Sequence, residues 1–183
     1  MKIRFLLFCL LFTASSVFAE GFYTELSVGQ ARQKTDIHAA DSYSADDISM
    51  GVQIGYQFLP YMAVELGYYD YGKATKRRGL VRSSMDTSAI NTGLKFILPL
   101  GDWVALYAKT GIAWWDYEHK ATLRNKVSKK GRDFYYGAGA KFNLNEIFAI
   151  GLEYQGFSFD VDANTLDAKH KVDNIALTLS VLF

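Results

Sequence analysis

Cysteine is nearly missing from this sequence of 183 residues: the only one, Cys9, lies in an apolar N-terminal stretch. A chain cut after that stretch has no disulfide, so something other than covalent staples must hold it together. Proline is scarce as well, at two residues, and histidine at three. Beyond residue 20 no run of about 18 apolar residues occurs, which excludes a helical membrane span. Neither charge sign dominates, with 20 Lys+Arg against 19 Asp+Glu, so nothing marks the whole chain as a nucleic-acid binder. At 50% hydrophobic residues the chain is not disordered, and its length suits one domain. What it has in abundance is 12 Tyr, 13 Phe and 15 Gly. Those numbers suit strands that carry large rings on one side.

The N-terminus reads as an export signal. Lys2 and Arg4 give a positive start, Phe5 to Phe12 is unbroken apolar sequence, and Val17-Phe18-Ala19 presents short side chains at the positions a signal peptidase reads. Phe8 before Cys9 is too bulky for a lipoprotein cleavage site. Residues 1–19 are therefore expected to be removed, leaving a domain over residues 20–183.

The period after that is two. From Ile48 to Phe58 the even positions (Ile48, Met50, Val52, Ile54, Tyr56, Phe58) are apolar, and the odd ones (Ser49, Gly51, Gln53, Gly55, Gln57) are polar or small. The same alternation recurs from Phe22, Met62, Ile90, Val104, Phe134, Phe148 and Ile175, which makes eight predicted strands. A soluble eight-stranded barrel would place the apolar set inside. Two features oppose that. The other face is rich in glycine (Gly51, Gly55, Gly67, Gly93, Gly111, Gly137, Gly139, Gly151), which weakens a water-exposed sheet but makes room inside a narrow barrel. Nor can an eight-stranded interior hold so many large side chains. They belong in lipid, with polar residues facing in.

Connections set the expected topology. Leu59-Pro60-Tyr61, Pro99 to Asp102 and Asn143 to Ile147 are short turns; Ala31 to Asp47, Gly72 to Asp86, Asp116 to Asp133 and Gly156 to Val172 read as long polar loops. Short turns in the periplasm and long loops outside the cell are the habit of outer-membrane barrels, and a closed barrel alone leaves no strand edge unpaired in hydrocarbon. The expected fold is all-β, an eight-stranded antiparallel transmembrane up-and-down β-barrel in a bacterial outer membrane. Phe22, Phe58, Phe96, Trp103, Phe142, Phe148 and Phe183 would form its periplasmic girdle.

Local motifs, in order along the chain, carry a family resemblance. They are Phe22-Tyr23-Thr24, Pro60-Tyr61, Glu65 with Gly67-Tyr68, Lys95 before a turn, Tyr107 with Lys109, Leu152-Glu153-Tyr154-Gln155, and Asp173-Asn174 opening the last strand. Together they resemble the OmpA transmembrane domain and, more loosely, the OmpX/Ail type of small barrel. Leu177, Leu179, Val181 and Phe183 resemble the C-terminal signal read by the outer-membrane assembly machinery, without its usual glycine and penultimate aromatic. Because the sequence stops at the last strand, the peptidoglycan-binding domain of full-length OmpA-type proteins is expected to be absent. The resemblance also implies balanced lumen charges, here Glu25, Glu65 and Glu153 against Lys95, Lys109 and Lys141. A buried charge left unpaired is costly, so these six are expected to interlock as a plug, or else to line a gated ion path.

Chemistry is expected at none of them. His38, His119 and His170 all fall in predicted loops, and none sits beside a serine and a carboxylate in a hydrolase pattern. Lipid A deacylases of similar size carry a His-x-Ser element, whereas the offsets here read His119-Lys120-Ala121 and His170-Lys171-Val172. Asp160, Asp162 and Asn164 alternate without the Gly and Glu of a calcium loop. No catalytic residue, metal or cofactor is expected, and a lipid A-modifying enzyme is a distant alternative.

Loop charge is more informative. Lys73, Lys76, Arg77, Arg78 and Arg82 make the second loop basic, and Lys120, Arg124, Lys126, Lys129, Lys130 and Arg132 the third. Asp36, Asp41, Asp46 and Asp47 make the first acidic, as Asp160, Asp162 and Asp167 do the fourth. The basic loops would neutralise lipopolysaccharide phosphates, or bind host surface glycans or matrix proteins. Expected partners are thus outer-membrane lipids, lipopolysaccharide and the assembly machinery, with host surface molecules as the adhesive option. The barrel is expected to be a monomer that binds no nucleic acid. A porin-like narrow channel is the alternative function.

Overall fold

The computed structural model describes residues 21–37, 43–78, 81–121, 124–163 and 166–183, with side chains described outside 35–45, 74–85, 119–127 and 160–169. The proposed export signal and His38 lie outside the described residues. Eight strands follow one another: β1 (Phe22–Ile37), β2 (Tyr43–Leu59), β3 (Met62–Arg78), β4 (Val81–Pro99), β5 (Val104–Ala121), β6 (Arg124–Asn143), β7 (Phe148–Ala163) and β8 (Leu166–Leu182). Each pairs antiparallel with the next, and β8 closes on β1 through the register Glu25↔Ser180 to Ile37↔Ala168. Closure reaches the last residue, whose N–H donates to the Phe22 carbonyl at 2.9 Å.

Within the lipid band the faces fall as the alternation requires. Leu26, Val28, Met50, Val52, Ile54, Leu66, Ile90, Leu94, Leu106, Ile150, Leu152, Leu177 and Leu179 point outward. Outward-facing threonines hide their hydroxyls by donating to backbone: Thr92 to the Glu65 carbonyl at 3.1 Å and Thr110 to that of Tyr135 at 3.0 Å. The short ends turn tightly. The Gln57 amide donates to the Pro60 carbonyl at 3.1 Å, and the Asn145 carboxamide oxygen accepts the N–H groups of Ile147 and Phe148 at 2.9 and 2.7 Å. Phe22, Trp103, Phe142 and Phe148 stand exposed at this end.

The long loops require correction. Strands of 16 to 20 residues continue through most of them, although about 9–11 residues cross a bilayer. The reason is a change of phase. In lipid the apolar residue of each pair faces out; above it water lies outside, and the apolar residue faces in. Tyr71, Trp115, Tyr117, Phe157, Phe159 and Val172 are buried inside this upper cylinder, while Arg32, Asp46, Lys130 and Lys171 cover its outer wall. A pattern search that follows one phase reads the inverted stretch as polar loop.

Glycine has a specific use in the lumen. A Cβ on Gly51 would lie 2.6 Å from the Tyr69 ring, and one on Gly139 would lie 2.5 Å from that of Tyr107. The rings occupy the volume the missing side chains leave. Gly72 is a different case: with φ of 77° it bends β3 where its pairing with β2 stops.

Candidate functional site

Two lysines sit at the centre of the lumen on neighbouring strands, Lys95 on β4 directly opposite Lys109 on β5. Both are buried, and two adjacent buried cations are unfavourable unless anions surround them. Three carboxylates do. The Lys95 ammonium lies 3.0 Å from Glu65 and 3.5 Å from Glu25; the Lys109 ammonium lies 2.7 Å from Glu153 and 3.4 Å from Glu65. Glu65 therefore ties the two lysines together.

Neutral side chains complete the shell. Tyr23 donates its hydroxyl proton to Glu65, Tyr107 donates to Glu153 at 3.0 Å, and Ser180 to Glu25 at 2.8 Å. The Gln53 amide nitrogen donates to Glu65 at 2.7 Å, while its oxygen accepts from Tyr69 at 2.6 Å and from Lys109 at 3.3 Å. Lys95 also sits 4.2 Å from the centroid of the Tyr107 ring, within cation–π range. The β6 strand contributes space instead: Gly137 and Gly139 face Lys109 and Tyr107. Tyr23, Gln53, Tyr69, Tyr107 and Ser180 are not visible as site residues from charge alone. Their signal is the inward register position they share with the glutamates.

Lys141 must be corrected. It faces inward on β6 but is only half-buried, and among the described residues no carboxylate comes within 4.0 Å of it. It sits one layer closer to the periplasm, sharing a small cavity with Tyr23, Gln57 and Lys95. A mouth of about 810 Å³, lined by Pro60, Trp103 and Asn143 among others, opens below it. The glutamates lie a layer above, so an alternation count groups Lys141 with charges that it does not touch.

Above the charges comes a neutral polar layer. Thr87 donates to Gln33 at 2.9 Å, Ser49 to Asn174 at 2.6 Å, and Asn91 to the Tyr71 hydroxyl at 3.4 Å. Higher still, rings fill the bore. Trp115 stacks on Phe159 with centroids 3.8 Å apart, and Phe157, Tyr71, Tyr117 and His170 pack around them. His170 is thus a buried strand residue of the upper cylinder rather than a loop residue, and burial pushes its imidazole down to about 4, so it is neutral at neutral pH. His119 also belongs to a strand, β5. The described residues hold no cluster of three His, Cys, Asp or Glu able to bind a metal.

The basic residues fall on the extracellular portions of four consecutive strands. Lys73, Lys76, Arg77 and Arg78 are on β3, Arg82 on β4, Lys120 on β5, and Arg124, Lys126, Lys129, Lys130 and Arg132 on β6. Side chains are described only for Lys73, Lys129, Lys130 and Arg132, and Lys130 pairs with Asp116 at 2.6 Å. At the other end of the chain, Leu177 and Leu179 face outward on β8, with Val181 and Phe183 half-exposed below them.

Residues 18–183 match the model of the OmpA-like transmembrane domain. Outer membrane protein A of Shigella flexneri is 25% identical over 142 residues, covering 75% of this chain and 40% of that protein. The chain thus spans about two-fifths of the length of that curated relative. Among solved structures, Neisserial surface protein A superposes with a TM-score of 0.71 at 14% identity, covering 91% of this chain and 100% of that one. Ail of Yersinia pestis, solved in complex with the heparin analogue sucrose octasulfate, gives 0.50 at 14% identity over 86% of this chain and 99% of its own. At these identities the two structures share the fold with this chain.

Proposed function

The chain belongs to the family of OmpA-like transmembrane domains, and from that premise we propose that it acts as a closed monomeric barrel, structural in the outer membrane and interactive at its extracellular surface. The observation that carries this reading is the bore itself. Five interlocked charges block it at mid-height, and a stack of buried rings blocks it again above. Residues 1–19 would serve as the cleaved export signal, and Leu177, Leu179, Val181 and Phe183 as the signal for membrane assembly. Purified, refolded protein in a planar lipid bilayer is expected to show no ohmic single-channel steps. Stable steps from folded protein would establish the second reading, a narrow ion path. The open periplasmic mouth below Lys141 is what favours that alternative.

Surface interaction falls to the basic wall. Cations spread along β3 to β6 would attract phosphates of lipopolysaccharide and sulfated glycans of a host surface, the class of ligand that the Ail complex holds. Binding to heparin should weaken several-fold as salt rises, because exposed charges are screened within about 8 Å at physiological ionic strength. It should also fall on neutralising Lys76, Arg77 and Arg78 together. Binding indifferent to both salt and charge removal would leave the adhesive reading without support.

A further inference from the structure

Across the barrel from the basic stretches of β3 to β6, the apolar band ends on one line that crosses three strands. Going up, the outward residues of β2 run Met50, Ile48, Asp46, and those of β1 run Val28, Gln30, Arg32. On β8 they run Leu177, Ile175, Asp173, Lys171. Register sets Gln30 between Ile48 and Ile175, and sets Arg32, one row higher, between Asp46 and Asp173. Lipid head groups meet the wall at that second row. Tyr154, in register with Ile175, stands at the depth that interfacial aromatic residues favour.

A depression of about 300 Å³ opens at this level between Arg32, Asp46, Tyr154, Lys171 and Asp173, with Ile175 below them. Two cations and two carboxylates border it, so its walls carry no net formal charge. Their mutual bonds leave particular atoms over. Arg32 gives Asp46 only its Nε–H, at 3.1 Å to Oδ1. The terminal amino groups of Arg32 and Oδ2 of Asp46 have no partner among the described residues. Asp173 is filled by comparison: Tyr154 donates its hydroxyl proton to Oδ1, and the Lys171 ammonium lies 3.1 Å from Oδ2. Lys171 spends one of its three ammonium protons there.

Spare donors and a spare acceptor on neighbouring side chains fit a ligand that carries both signs. A plain anion would meet Asp46 and Asp173 as well as the cations, and walls of zero net charge give it little attraction. A phosphate joined to a primary amine answers both sets. Its oxygens accept from Arg32 in the bidentate manner a guanidinium favours and from Lys171, while its ammonium donates to Asp46. We infer that this depression binds the phosphoethanolamine head group of an outer-leaflet lipid. Beneath the head group, Val28, Ile48, Ile175 and Leu177 offer the acyl chains an apolar wall. The basic stretches of β3 to β6 attract anions at large; here the amine decides.

Native mass spectrometry of the refolded protein, released from mixed detergent micelles, reads this selection. Offered equal amounts of phosphatidylethanolamine, phosphatidylcholine and phosphatidylglycerol, the protein should retain the first several-fold over the others. Phosphatidylcholine keeps the phosphate, but its quaternary ammonium has no proton to donate; phosphatidylglycerol lacks the amine. Asp46→Ala should erase the preference and tip retention toward phosphatidylglycerol, because the site then gains a net positive charge. Arg32→Gln should lower phosphatidylethanolamine retention several-fold. Both positions are exposed, and an unchanged thermal midpoint verifies that each variant folds. Asp116→Ala, which breaks the comparable pair with Lys130 at 2.6 Å on the other wall, should leave the preference intact. A parallel competition between lipid A with and without phosphoethanolamine identifies the carrier: preference for the modified form assigns lipopolysaccharide, and indifference assigns a phospholipid. Equal retention of the three phospholipids overturns the inference. So does a preference of the unmodified protein for phosphatidylglycerol, or one for phosphatidylethanolamine that survives Asp46→Ala.

Discussion

Replacing Lys109 with methionine is expected to destabilise the barrel by about 3–5 kcal/mol, the usual cost of removing one partner from a buried ion pair. Lys109 is the only described cation within 4.0 Å of Glu153, at 2.7 Å, and the second of two within that distance of Glu65. Methionine keeps much of its volume but leaves the Glu153 carboxylate in a narrow bore with the Tyr107 hydroxyl as its one direct partner among the described residues. Lys141→Met is the control. That side chain is half-buried beside an open mouth and pairs with no carboxylate among the described residues, so its loss should cost under about 1 kcal/mol. Urea titration of the two variants refolded in lipid vesicles measures both. Equal losses would mean that the interlocked charges do not dominate the interior.

The second large effect comes from the outer wall. Leu94→Arg should cost about 2–4 kcal/mol, the penalty of a cation near the bilayer midplane on a barrel's lipid face. Leu94 is the middle one of the outward positions Ile90, Thr92, Leu94, Phe96 and Leu98 on β4, flanked in register by Val64 and Thr110. From mid-strand an arginine cannot reach head groups at either edge without bending along the wall. Near the interface the same charge is tolerated, so Leu98→Arg should cost far less. Unfolding titrations of the two variants give the comparison, and a Leu94→Arg protein as stable as its parent would place that side chain off the lipid face.

Both expectations start from the alternation of Ile48 to Phe58 and its repeats, and that much was legible without coordinates. In a sheet the side-chain period is two whatever the neighbours do, so strand number, order, inward and outward sets, and the short turns at Pro60, Gly101 and Asn145 follow from local sequence. The glycines and their rings were half legible. Gly51 and Gly139 announce a crowded interior, but only the register reveals that Tyr69 and Tyr107 are the residues crowding it.

Where each strand stops, which charges meet and where pairing fails were decided by the tertiary structure. Strand length escaped because the solvent on the outer wall changes from lipid to water partway up, which inverts the alternation at Tyr71, Trp115 and Phe159 while the backbone continues unbroken. The pairing of Lys109 with Glu65 and Glu153, and the exclusion of Lys141, depend on the stagger that closing eight strands imposes, which sets the height of every inward residue against residues several strands away. The β6/β7 seam belongs to the same class. Each edge taken alone is ordinary strand sequence, and only the assembled sheet shows that the two part above Tyr135↔Phe157.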